Sequence, residues 1–136
     1  MLYLASENEL PKAKTEIENS DIYIEKHKTL FNAMNISFNK RNIYYVGSDE
    51  GCSCGFMLEV DCKHQENSIL QQKKRNQYRL FEYLNDCLET ETSLELYGVY
   101  NGDEGQKVVS ERNIKIKDLI DKDFFFVEKE LLIVHK

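Results

Sequence analysis

An α+β fold, a largely antiparallel sheet with one long helix packed across a face, is what this sequence predicts. Three observations carry that expectation. Short β-rich runs recur along the chain between turn residues. One stretch, and only one, sustains helical periodicity for several turns. The chain has 136 residues with 41% apolar content, 6 Gly and 1 Pro, enough to bury a real core in one domain spanning residues 1–136 and too few breakers for a low-complexity chain.

"LYLA" (Leu2 to Ala5) reads as the first strand, broken by "ENELPK" with the sole proline, Pro11. "DIYIEK" alternates Ile22 and Ile24 against polar neighbours and reads as a second strand. "TLFNAMN" (Thr29 to Asn35) reads as a short helix, with Thr29 as cap. "NIYYV" (Asn42 to Val46) is a run of strong β-propensity, followed by the turn "GSDEG". Then Cys52, Cys54, Phe56, Leu58 and Val60 fall on alternate positions, the spacing of one strand face. The two runs together predict a hairpin with a five-residue loop.

Glu66 to Glu91 is the long helix. Ile69, Leu70, Leu80, Phe81, Leu84, Cys87 and Leu88 follow its period, and Asn67 or Ser68 is the expected cap. Its middle, "KKRNQYR", reads as a solvated basic face. "SLELYGVY" is a strand ending in the turn "NGDEG". "KVVSERNIKIKDLI" contains another strand and a helical turn near Asp118 to Ile120. "FFFVEKELLIVHK" reads as a terminal hairpin around Glu128 and Lys129, or as one interrupted strand, placed in the core or at an oligomer edge.

The formal charge of −6 disfavours binding to a phosphate backbone. The first residues lack a basic segment followed by a long apolar one, and the apolar runs "FFFV" and "LLIV" are too short to span a bilayer, so the expected setting is the cytoplasm without a membrane partner. In that setting the four cysteines are expected to be reduced. A protein partner, or a second copy of the chain, is the kind of partner the composition admits.

The chemistry-bearing residues concentrate in "GSDEGCSCGF". Cys52, Cys54, Cys62 and His64 are zinc-type ligands, but each pair leaves one residue between its members, where structural zinc sites leave two to four. In one straight strand Cys54 and Cys62 would lie roughly 26 Å apart. No cofactor is expected, and zinc at Cys52 and Cys54 is the metal alternative. A reactive thiol is a third reading; Asp49 and Glu50 beside it would raise its pKa. Core packing of both cysteines is the reading the alternation favours. Cys87, on the apolar helix face, is core.

"YYVGSDEG" and "YGVYNGDEG" echo one another, with Asp49 and Glu50 in one turn and Asp103 and Glu104 in the other. If the two strands run parallel, four carboxylates share an edge and could hold a hard divalent ion. Ordinary turn composition explains the same residues. No phosphate loop, HExxH pair or G-x-S-x-G elbow is present.

At "YYVGSDEGCSCGF" the chain resembles a group of small bacterial proteins that carry a YVGS-x-E-G-C-x-C-G-F core and have no assigned function. The likeness extends loosely to "MLYLAS", "ELYGVYNGDEG" and "FFFVEKELLIV". It implies a bacterial, cytoplasmic, single-domain protein and marks the "GCSCGF" segment, but implies no activity or ligand. The expected function is a non-catalytic interaction or regulatory module; the alternative is a metal- or thiol-dependent protein centred on Asp49, Glu50, Cys52 and Cys54.

Overall fold

The computed structural model describes residues 1–13, 22–26, 38–48, 52–58, 66–99, 102–103 and 106–136. Six strands form one sheet: β1 (Leu2–Ser6), β2 (Ile22–Lys26), β3 (Asn42–Ser48), β4 (Leu94–Gly98), β5 (Ser110–Lys115) and β6 (Glu130–His135). Their order is β2-β3-β1-β4-β6-β5. All neighbouring pairs are antiparallel except β5 and β6, which run parallel. The α-helices among the described residues are α1 (Asn67–Cys87) and the short α2 (Ile116–Ile120). The α+β class read from the sequence is therefore observed. The short helix expected at Thr29 to Asn35 lies outside the described residues.

β1 and β4 are the central strands, and every residue of each is buried. A strand covered on both faces needs apolar side chains in both directions, and "LYLA" and "LELY" supply them except at Glu95. One face carries Leu2, Leu4, Val46, Leu96 and Val134 against Leu80, Phe81, Leu84 and Cys87 of α1. The other carries Tyr3, Ala5, Ile43, Tyr97 and Leu131, with Phe38 packed edge-on to Tyr97. The two buried carboxylates near β4 are satisfied by N–H donors. Glu95 accepts from the Asn39 backbone (2.8 Å) and side chain (3.2 Å), and Glu91 accepts from the Glu7 and Asn8 amides (3.1 Å each).

Three expected elements differ in the structure. Residues 52–58 are not the second strand of a hairpin; Ser53–Phe56 is a single 3-10 turn. "FFFV" is not a strand: it alternates Phe124 and Phe126 inward with Phe125 and Val127 outward but joins no ladder of the sheet. Of the two placements expected for "LLIV", the core is the one observed, since β6 is largely buried and lies between β4 and β5. Neither Asn67 nor Ser68 caps α1: Glu66 occupies the cap position and makes no side-chain cap bond. The edge strands β2 and β5 carry charges, including Glu25, Lys26, Glu111, Arg112 and Lys115, which oppose edge-to-edge pairing.

Cys87 is the buried free cysteine among the described residues, as its helix face requires. Burial pushes its thiol up from near 9.0 to about 11. Below pH 9 the thiol is neutral in both folded and unfolded chains. Between pH 9 and pH 11 the unfolded chain loses this proton and the folded one keeps it, so stability falls as pH rises. The expected loss across that window is about 1–2 kcal/mol from this group, allowing for partial solvent screening. Tyr83, whose hydroxyl donates to the Pro11 carbonyl, is also pushed up by burial and adds to the same trend above pH 10. Urea unfolding at pH 8 and pH 11 checks this; Cys87→Ala should flatten the dependence, and an unchanged slope would contradict the assignment.

Candidate functional site

The site begins where β3 ends. Ser48 closes the loop to Cys52 with two bonds: its amide and its hydroxyl both donate to the Cys52 carbonyl at 2.8 Å. The chain then enters the 3-10 turn, in which residues three apart share a side. Ser53 and Phe56 take the inward side and are buried. The Ser53 hydroxyl donates to the Val46 carbonyl (2.6 Å) and accepts from the Leu2 amide (2.7 Å), bridging the ends of β3 and β1.

Helix α1 grips the turn from the opposite side. Asn76 donates from Nδ2 to the Gly55 carbonyl at 3.1 Å and is itself held by Gln72 at 2.9 Å. Gln77 donates from Nε2 to the carbonyls of Phe56 and Phe124, both at 2.6 Å, and accepts from the Phe124 amide at 3.2 Å. Both amides are almost completely buried. Gly55 is where the parts meet. A Cβ there would stand 2.2 Å from Ser48 Oγ and 2.8 Å from Asn76 Nδ2.

With Ser53 and Phe56 turned inward, Cys52 and Cys54 point away from the core. Cys52 is half-buried and Cys54 exposed, which corrects the core-packing expectation for both. They are also not reduced: Cys52 and Cys54 form a disulfide, with Cα atoms 5.4 Å apart. Asp49 and Glu50, the two acidic candidates of the same segment, lie outside the described residues, as do Cys62 and His64. Among the described residues, no three His, Cys, Asp or Glu side chains converge as a metal-holding group.

The disulfide forms part of the wall of a cleft of about 700 Å³. Its lining also includes Met1, Gly98 and Val99 at the end of the β1–β4 ladder, Met57 and Leu58 after the turn, and Phe126 to Glu128. Met1 and Val99 exchange both backbone bonds, extending the β1–β4 ladder by one pair.

β3 and β4 end at the same end of the sheet. β3 and β4 are both antiparallel to β1, and Val46 and Gly98 both stand opposite Leu2, so the strands run parallel to one another. Of the four carboxylates only Asp103 is described. It pairs with Lys129 at 3.6 Å and accepts from Gln106 Nε2 at 2.7 Å. In the stretch "KKRNQYR" Lys74 pairs with Asp123 at 2.8 Å and Arg79 with Glu82 at 3.2 Å, while Asn76 and Gln77 are buried, which corrects the solvated reading for those two residues.

Reading the sequence missed Ser53, Gly55, Asn76 and Gln77. A signal for the amides was present. Asn76 and Gln77 stand four residues before Leu80 and Phe81, on the buried stripe of the helix.

Comparison with protein-family models, with curated proteins and with solved structures returns no match. Among the described residues no helix is long and apolar enough to cross a membrane.

Proposed function

We propose that this protein is a regulatory binding module whose switchable element is the Cys52–Cys54 pair, acting by thiol–disulfide exchange at the wall of the cleft. The observation that carries the reading is the position of the pair: outside the core, with Cys54 exposed, on a cleft lined largely by apolar side chains.

A structural role accounts poorly for this disulfide. Cross-linking residues separated by two positions removes little freedom from the unfolded chain, roughly 1.6 kcal/mol on the loop-entropy relation against about 4.7 for a 100-residue loop. The turn is held independently by Ser48, Ser53, Asn76 and Gln77. The setting we take is the bacterial cytoplasm implied by the resemblance at "YYVGSDEGCSCGF". In a reducing compartment an exposed disulfide is characteristically transient and redox-sensing.

The exchange balances as follows. A thiolate attacks the exposed Cys54 Sγ, the bond to Cys52 breaks, and Cys52 leaves as a thiolate that takes up a proton. A second thiolate releases Cys54 from the mixed disulfide. Two electrons and two protons pass from two external thiols to the pair, and the external thiols leave joined as a disulfide. The test is equilibration of the native chain in thiol–disulfide buffers of stepped potential, then alkylation and peptide mass mapping. Cys52 and Cys54 should change together and reversibly, with Cys87 unlabelled throughout. Labelling of the pair only under denaturing conditions would refute the reading.

A further inference from the structure

A third sulfur-bearing side chain shares the wall with the two cysteines. Met57 directly follows the 3-10 turn, and Cys52, Cys54 and Met57 all line the same cleft. We propose that in the reduced state Cys52 and Cys54 bind one soft monovalent cation of the copper(I) class, with the Met57 thioether as third donor. The inference rests on the thiol reading above and adds a ligand to it.

Three features favour this ion class. The first is reach. The two cysteine sulfurs already meet in the oxidised chain, with Cα atoms 5.4 Å apart. Two sulfurs bound to one ion at a metal–sulfur distance of about 2.3 Å stand roughly 4 Å apart, a separation that side-chain rotation supplies without moving the backbone. The second is donor chemistry. Thiolate and thioether are the soft ligands that select copper(I) over the harder divalent ions. The third is coordination number. Structural zinc takes four ligands, whereas Cys52, Cys54 and Met57 offer three sulfur donors. A soft monovalent ion is satisfied by fewer donors, and a cleft lined by Leu58, Val99 and Phe126 surrounds them with apolar side chains.

Binding involves no electron transfer. Each thiol gives up its proton as the metal–sulfur bond forms, two protons leave for solvent, and the copper stays monovalent. Disulfide and metal are therefore mutually exclusive occupants of the same two sulfurs, and oxidation of the pair would expel the ion.

The test uses the full chain under anaerobic conditions. A phosphine first reduces the disulfide, taking oxygen from water as it becomes the phosphine oxide, and alkylation of an aliquot verifies that both thiols are free. Copper(I) is then partitioned between the protein and a chromogenic copper(I) chelator. The expected result is one copper(I) withdrawn per reduced chain, none by the oxidised chain, and no displacement by excess zinc. Cys54→Ser should weaken binding on the order of 100-fold. Met57→Leu, which nearly conserves volume, should weaken it about tenfold, at least the cost of losing an outer-sphere partner. Copper left on the chelator while both thiols alkylate would overturn this inference and leave the thiol reading standing. Failure of the pair to reduce in the native chain would sink both. Displacement by zinc would overturn the soft-ion assignment, and unchanged affinity in Met57→Leu would overturn the third donor.

Discussion

Replacing Gln77 by Leu is expected to destabilise the protein by about 3–5 kcal/mol, near the upper end for a single substitution. The side chain is 3% exposed and makes three bonds, to the Phe56 carbonyl and to both backbone groups of Phe124. Leucine fills much of the volume but leaves two carbonyls and one amide buried without these partners, each costing about 1–3 kcal/mol. The turn bearing the cysteines and the segment after Phe124, both of which line the cleft, would lose their common anchor together. Urea unfolding measures the loss. A neighbouring exposed change, Tyr78→Ala, should stay within about 0.5 kcal/mol. A loss below about 1 kcal/mol for Gln77→Leu would mean that the amide does not hold the two segments.

Gly55→Ala is the second large effect, from one added methyl group. The new Cβ would stand 2.2 Å from Ser48 Oγ and 2.5 Å from Ser48 Cβ, contacts that real structures do not contain. The turn must move, and with it go the bonds from Ser48 to Cys52 and from Asn76 to Gly55. Overpacking together with these losses is expected to cost about 2–4 kcal/mol. Gly98→Ala is the control, because its Cβ meets nothing closer than the Val127 carbonyl at 3.9 Å. Equal stability of the two variants would contradict the close approach at Gly55.

The fold was legible where burial and periodicity agree. β1, β3 and β4 combine strong β-propensity with near-complete burial, and the second half of α1 repeats Leu80, Phe81, Leu84, Cys87 and Leu88 at helical spacing. The site was less legible for a specific reason. Over "CSCGF" a strand period of two and a 3-10 period of three both place Phe56 inward; they differ only over whether Cys52 and Cys54 or Ser53 accompany it. Hydrophobicity favours the cysteines, and the unpaired Leu2 amide and Val46 carbonyl favour the serine. That demand arises from strand order, which local pattern does not encode. Gln77 was obscured in the same way, since its partners Phe56 and Phe124 lie 21 and 47 residues away. The parallel pairing of β5 with β6 follows from the crossover through α2, whereas "FFFV" carries β-propensity it does not use.

In the switch proposed above, the Cys52–Cys54 bond opens and closes while the fold stays intact. The most direct test adds denaturant unfolding to the redox titration, comparing oxidised and reduced chains at pH 7. The two forms should unfold cooperatively with the same denaturant dependence and differ by no more than roughly 1.6 kcal/mol, the loop-entropy value for so short a ring. A reduced chain that loses its cooperative transition, or more than about 4 kcal/mol, would show the disulfide to be a structural staple and contradict the switch.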